Sequence, residues 1–313
     1  MEESVFIKWG NASENPKDEG TESTLRQAQL IALGILKKVD ALCKKRGINY
    51  WLDGGTLLGA VRHKAFIPWD DDIDICMRRE DYNKFLSFAV KELPEDLFVQ
   101  NLNTTESAGI TWTQIKDRKS ILIQNGKPNG HQGVFIDIFP IDSYSDNAVK
   151  RFFFEKFLKV LYIKVFAINA PLKKPFFKPV NFIKNIMKLV IKILFFPFAI
   201  FNKDAIYNLN IKTRDRRISK MLNNNTSIFG YGTDILNWDT MYNASDIFPL
   251  KKLIFEDALF PVPGNYSNYL TNLYGDDYMK LPPVGKRITH NIKIKVNLSK
   301  EEEAQLNKEF YYK

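Results

Sequence analysis

The chain's 313 residues leave room for one large domain or two small ones, and its 45% apolar and 26% charged content is that of a globular protein with ample core. Two cysteines, Cys43 and Cys76, and three well-separated histidines exclude a zinc site built on Cys/His spacing. With no secretory pattern at the start, the cysteines are expected to be reduced core residues of a cytoplasmic protein. The net charge of +9 is unevenly held: residues 150–203 contain twelve basic side chains and one acid, Glu155, so the remainder is close to neutral.

Residues 1–20 are polar and expected to be loosely held. Leu25, Ala28, Ala32, Ile35, Leu36, Val39 and Leu42 then recur at three- and four-residue steps, which predicts a packing helix with Gly47 as its C-terminal cap. A short apolar strand over 48–52 leads into Asp53-Gly54-Gly55-Thr56, and a helical run over 57–63 follows. Glycines at a strand-to-helix turn let the chain pass close to a ligand, and the helix start offers free N–H groups to an anion.

Asp70, Asp71, Asp72 and Asp74 place four acids within five residues. A strand here points Asp72 and Asp74 to one face and Ile73 and Ile75 to the other. One reading is a solvated acidic turn, which is what most charge runs are. The flanks favour another: Phe66, Ile67, Pro68 and Trp69 precede the acids, and Ile73, Ile75 and Met77 interleave them, so the strand is buried beside its charges. Buried carboxylates without a partner are costly, and a hard divalent cation such as Mg²⁺ that also holds a substrate phosphate is the expected one.

A second amphipathic helix is predicted over 79–93, ended by Pro94, with strands over 97–102, 109–117, 120–124 and 133–139. Asp137 is the one acid in the apolar run Val134-Phe135-Ile136-Asp137-Ile138-Phe139, a position that is either misassigned to the core or faces the first two acids, where it completes the metal site or accepts a substrate's proton. Residues 150–203 hold twelve of the 24 phenylalanines, interleaved with lysines that break every apolar run well short of the roughly 20 residues a membrane-spanning helix needs. They read as helices lying in a membrane interface, or as an extra helical subdomain; nucleic acid is disfavoured because arginine is nearly absent. A basic helix over 210–222 carries Arg214, Arg216 and Arg217, as a solvated face or as phosphate contacts. Residues 223–226 form a loop, Lys286, Arg287 and His290 are either ordinary loop charge or groups that close over a diphosphate, and 301–313 is a terminal helix without function.

The run from Tyr50 through Asp53-Gly54-Gly55-Thr56 to Arg62-His63, with Phe66-Ile67-Pro68-Trp69-Asp70-Asp71-Asp72-Ile73-Asp74, resembles the LicD family of phosphotransferases, which includes bacterial phosphocholine transferases and is related to fukutin-type ribitol-phosphate transferases. Gly133-Val134-Phe135-Ile136-Asp137-Ile138-Phe139-Pro140-Ile141-Asp142 and the block from Phe260-Pro261 through Tyr274-Gly275-Asp276-Asp277 to Arg287 and His290 resemble it as well. Together the matches cover roughly residues 25–142 and 247–290. The resemblance, with the strand-helix-strand bearing the acids, implies an α+β fold: a nucleotidyltransferase core of the polymerase-β type with a mixed sheet and flanking helices, plus the basic Phe-rich insertion. The expected organisation is a polar segment over 1–20, the catalytic core over 21–145, the insertion over 146–222 and a C-terminal part over 223–313 that completes the site.

What the resemblance implies for function is metal-dependent transfer of a substituted phosphate, above all phosphocholine from CDP-choline or the group of another CDP-alcohol, to a sugar hydroxyl of a lipid-linked or glycan precursor of teichoic acid or lipopolysaccharide type, with release of CMP. Asp72, Asp74 and Asp137 are expected to hold Mg²⁺ or Mn²⁺, with Asp137 also a candidate base. Gly54, Gly55 and Thr56 are expected to hold phosphate oxygens, with Arg62, Arg287 and His290 adding contacts. Asp53 is expected to bond the turn, and one of Asp70 and Asp71 to coordinate or orient the metal. The expected location is the cytoplasm, peripheral at the inner face of the cell membrane through 150–203, with no nucleic-acid partner. A nucleotidyltransferase, or a glycosyltransferase using its Asp-x-Asp strand, is the alternative.

Overall fold

The computed structural model describes residues 7–8, 24–101, 104, 110–124, 130–157, 159–161, 179–194, 203–221, 226–235, 238–287, 291–295 and 298–307. Two compact units are formed, one from residues 1–141 with 242–313 and one from residues 142–241.

The first unit opens with β1 (Ile7–Lys8), α1 (Thr24–Arg46), β2 (Trp51–Leu52), α2 (Gly54–Arg62), β3 (Asp74–Arg78) and α3 (Arg79–Glu92). Next come β4 (Leu97–Gln100), β5 (Thr113–Asp117), β6 (Ile121–Gln124) and β7 (Phe135–Tyr144). The apolar stripe of α1 is buried as its spacing predicts, Lys44, Lys45 and Arg46 occupy the last turn where helix carbonyls favour cations, and Gly47 follows at a left-handed φ of +59°.

The central sheet runs β2-β3-β7-β5-β4. Its one parallel pairing along this path, β3 with β7, lies between antiparallel neighbours, which makes the sheet mixed and the fold α+β. Burial is almost continuous along β3 and β7, including Ile75, Cys76, Met77, Ile136, Ile138 and Phe139, because both faces of these inner strands are covered.

Two departures from the sequence reading bear on the site. Asp72 is not on the strand; β3 begins at Asp74, whose N–H donates to Thr56 Oγ1 at 2.9 Å, and the three acids before it lie on irregular backbone. β7 runs past Pro140 to Tyr144 instead of ending at Phe139. Asp137 N donates to Ile73 O, so position 140, of opposite parity, turns its nitrogen away from β3, and proline there costs no bond of the β3–β7 ladder.

The second unit holds a helical stretch over 148–156, then α4 (Pro179–Leu194), α5 (Lys203–Met221) and β8 (Ile228–Tyr231). Two of the arginines on α5 are neither solvated nor free for phosphate. Arg214 pairs with Asp234 at 2.6 Å, and Arg217 lies 3.6 Å from buried Asp142 and 3.7 Å from buried Glu155 while stacking on Tyr144.

The chain then supplies β9 (Met241–Asn243), the hairpin β10 (Lys251–Phe255) and β11 (Ala258–Val262), α6 (Tyr266–Tyr274), β12 (Asn291–Lys295) and α7 (Lys300–Asn307). β1, β12 and β6 form a small sheet, so Ile7 and Lys8 are strand residues within a segment expected to be loose. α7 carries a structural anchor: Asn307 accepts from Arg118 Nη1 at 2.9 Å and donates to Arg118 O at 3.1 Å. No described helix is long and apolar enough to cross a membrane.

Candidate active site

The site is built where β2 turns into α2 and where β3 lies beside β7. Asp53 is the N-cap of α2; its backbone N–H donates to Asp74 O at 3.0 Å and its carbonyl accepts from Leu57 N at 2.9 Å. Its carboxylate accepts from Tyr269 Oη at 2.8 Å and Cys76 Sγ at 3.1 Å, both buried. Trp51 Nε1 donates to Tyr269 at 3.3 Å, and Tyr242 stacks on Tyr269 with centroids 4.0 Å apart. Asp53 therefore fixes the turn rather than facing a ligand.

The two glycines are required by how closely the acids approach them. Gly54 has φ +53°, and a Cβ there would meet Asp74 Oδ2 at 2.9 Å; one on Gly55 would meet Asp70 Oδ2 at 2.6 Å. The first turn of α2 thus packs directly on two carboxylates, where the positive end of the helix favours negative charge.

Asp74 and Asp137 are register neighbours on the parallel strands β3 and β7. Among the described residues, the group of three metal-ligating side chains whose ligand atoms all lie within 4.8 Å of one another is Asp70, Asp71 and Asp72, and not the expected trio of Asp72, Asp74 and Asp137. Electrostatics ties this group to the strand acids. Loss of solvent and then repulsion from Asp72 and Asp71 hold Asp70 well above the usual carboxylate range. Loss of solvent, then Asp72, Asp137, Asp53 and Asp70, do the same to Asp74. Asp137 is raised to about 7, chiefly by burial and also by Asp72, against the opposing pull of Trp112, Gln114 and Lys116. An all-carboxylate set that repels itself in this way is an oxygen donor set suited to a hard divalent cation such as Mg²⁺ or Mn²⁺.

One face of β5 supports Asp137. Trp112, just before the strand, donates from Nε1 to Asp137 Oδ1 at 2.6 Å, and Gln114, its register partner, also bonds it. Two residues on, buried Lys116 donates to His131 O at 2.6 Å; burial lowers its amine to about 8 and Asp137 opposes that. The sequence reading named none of the three. Their signal was present: 112, 114 and 116 alternate with Thr113 and Ile115, which puts three polar-tipped side chains on one strand face.

The rim holds Arg62, Arg287, Trp69 and Tyr274. Arg62 donates to Tyr278 O at 2.9 Å and to His63 Nε2 at 2.9 Å, so it ties the C-terminal block to α2, and burial above all, with Arg287 adding to it, lowers its pKa. The Arg287 guanidinium lies 4.7 Å from the Trp69 ring centroid and donates to Pro282 O at 3.1 Å. Tyr274 is 46% exposed as a residue, yet burial of its phenol end raises it and repulsion from Asp53, Asp74, Asp70 and Asp72 pushes it further; the sequence reading had it within the family match but not as a site residue. Thr56 Oγ1 is committed to Asp74 N. His290 lies outside the described residues, and nothing is described of the Lys286 side chain.

Carboxylates clustered at a strand-to-helix turn of an α+β core form an oxygen-donor site, and comparison with known proteins gives the family. The model described as LicD/FKTN/FKRP, nucleotidyltransferase domain, matches residues 47–182. The chain is 32% identical to lipopolysaccharide cholinephosphotransferase LicD of Haemophilus influenzae over 278 residues, 86% of this chain and 96% of that protein. It is 42% identical over 57 residues to the human ribitol 5-phosphate transferase FKRP, 18% of this chain and 10% of that one. The chain belongs to the LicD family.

Proposed function

We propose that this protein is a LicD-type phosphotransferase that moves a substituted phosphate, phosphocholine first among candidates, from a CDP-alcohol to a sugar hydroxyl of a cell-surface glycan precursor, releasing CMP. The acceptor is of lipopolysaccharide or teichoic acid type, and the core is of the nucleotidyltransferase kind. The observation that carries the reading is the meeting of Asp74 and Asp137 across β3 and β7 beside the Asp70–Asp71–Asp72 group, in a chain matched along 86% of its length to a cholinephosphotransferase.

In this reading Asp70, Asp72, Asp74 and Asp137 hold Mg²⁺ or Mn²⁺. A bound divalent ion neutralises the donor's diphosphate and the charge that develops on departing CMP. The chain's own groups do the positioning. Trp112 and Gln114 keep the Asp137 carboxylate aimed, and that group is also the candidate base toward the acceptor's proton. Thr56 fixes Asp74, while the N–H groups at the start of α2, from Gly54 and Gly55, meet phosphate oxygens. Arg62, Arg287 and the Tyr274 hydroxyl border the donor. The enzyme works at the inner face of the cell membrane.

The test is to incubate the protein with Mg²⁺, a glycan acceptor and CDP-choline, CDP-ribitol or CDP-glycerol separately, and follow CMP. CMP with phosphocholine on the acceptor is expected from CDP-choline. Nucleoside monophosphate attached to the acceptor would instead mean nucleotidyl transfer, and no CMP from any of the three would overturn the reading.

A further inference from the structure

In the unit formed by residues 142–241, the described side chains of α4 carry their polarity inside out. Ile183, Ile186, Val190 and Ile193 are between 41% and 74% exposed, Phe182 is 41% exposed, and at 3.6 residues per turn the five span an arc of about 100°. Among the described side chains of this helix the one buried completely is Asn185, and Lys188 and Leu189 beside that line are half-covered. A surface helix of a globular protein turns its apolar arc inward and its polar residues to water. Among the described side chains of α4 the arrangement is reversed.

The same unit exposes a second apolar group at its start. Val149, Phe152, Phe153 and Phe157 are each more than two-fifths exposed. Apolar surface gathered in this way marks an interaction face rather than a tolerated stray residue.

Charge selects the partner. The segment 150–203, which contains both groups but for Val149, has twelve basic residues, of which Lys156 and Lys159 pair with Asp239, and its one acid, Glu155, is buried and accepts from Ser145 N at 2.9 Å. A second copy of the chain would bring like charge against like. An anionic lipid surface does the opposite: its headgroups neutralise the lysines and its acyl boundary takes up the apolar arc. No described helix has the length and apolarity to cross a bilayer, so a helix of this kind lies along the interface.

We infer that α4 is a membrane-docking helix, seated on anionic lipid through Ile183, Ile186, Val190 and Ile193, with Phe152, Phe153 and Phe157 adding a second apolar contact. The inference deepens the proposed function by naming the surface that retains the enzyme beside a lipid-linked acceptor, but its observations are independent of the chemistry.

The test is vesicle co-sedimentation of the full-length protein, which uses no nucleotide and so stands or falls apart from phosphotransfer. The protein is expected to pellet with phosphatidylglycerol/phosphatidylcholine vesicles, less with phosphatidylcholine alone, and less as salt is raised. The triple variant Ile183→Gln, Val190→Gln, Ile193→Gln keeps charge and helix propensity; it is expected to lose about tenfold or more of the bound fraction while its circular dichroism is unchanged. Equal pelleting of variant and wild type, or wild type remaining in the supernatant, would overturn the inference. So would a concentration-dependent dimer in sedimentation velocity that the variant disperses, because that assigns the face to a second copy.

Discussion

Replacing Trp112 with Phe isolates the support given to Asp137. The indole N–H donates to Asp137 Oδ1 at 2.6 Å, while the ring packs on Phe139 with centroids 5.5 Å apart. Phenylalanine keeps the aromatic contact and removes the donor. A hydrogen bond to a charged group contributes about 1.5–3 kcal/mol. At about 1.36 kcal/mol per factor of ten, its loss disfavours the ionised carboxylate by about tenfold to a hundredfold. If Asp137 acts in its charged form, CMP release at neutral pH falls by at least about tenfold and half-maximal rate needs correspondingly more Mg²⁺. Trp112 is only half-buried, so the melting temperature should move little. Steady-state CMP release across an Mg²⁺ titration, beside thermal unfolding, reads both. A rate within about twofold of wild type, with no change in Mg²⁺ demand, would refute the role given to Asp137 and its donor.

Three further outcomes follow from neighbouring geometry. Gly55→Ala places a Cβ against Asp70 Oδ2, so Asp70 must swing away; CMP release should fall at least about tenfold with the fold retained by circular dichroism, and an unchanged rate would remove Asp70 from the site. Gly54→Ala adds left-handed strain at φ +53°, and the midpoint of urea unfolding should drop by the equivalent of about 1–2 kcal/mol. Buried His131 has Nδ1 accepting from Gly133 N at 3.0 Å and Nε2 bonded to Asn307 Oδ1 at 3.0 Å, which is a neutral ring. Burial above all, with Lys116 and Arg118, pushes it down to about 4. The unfolded ring binds its proton near 6.5, so this contribution is complete above that pH and is lost as pH falls toward 4. Unfolding titrations should show about 2 kcal/mol lost between pH 7 and 5, and His131→Gln should flatten that slope.

Most of the candidate site was legible as residue types in apolar surroundings. Asp74 and Asp137 stood out because each is a carboxylate inside a strand that otherwise reads as core, and the glycine pair because it sits at a strand-to-helix turn. What was not legible was geometry set by distant parts of the chain. Nothing local says that Asp137 stands opposite Asp74, that Asp72 falls outside β3, or that Trp112 and Gln114 lie across from Asp137, since these are pairings between strands far apart in sequence. Arg214 and Arg217 read as free charge until Asp234, Asp142 and Glu155 were brought to them by the fold. The terminal helix read as inert because one Asn gives no sign that Arg118 and His131 await it. In α4 the apolar arc was visible from spacing, but periodicity does not say which side of a helix faces water.

The central claim is that carboxylates from the β2–β3 region and β7 converge on a divalent ion that carries the donor's phosphates. The most direct measurement is CMP release from CDP-choline by Asp72→Asn and Asp74→Asn, taken with Mn²⁺ binding to each purified variant. Loss of both CMP release and ion binding, with circular dichroism unchanged, is the predicted result. Retention of more than about a tenth of the wild-type rate, or undiminished ion binding, would contradict it.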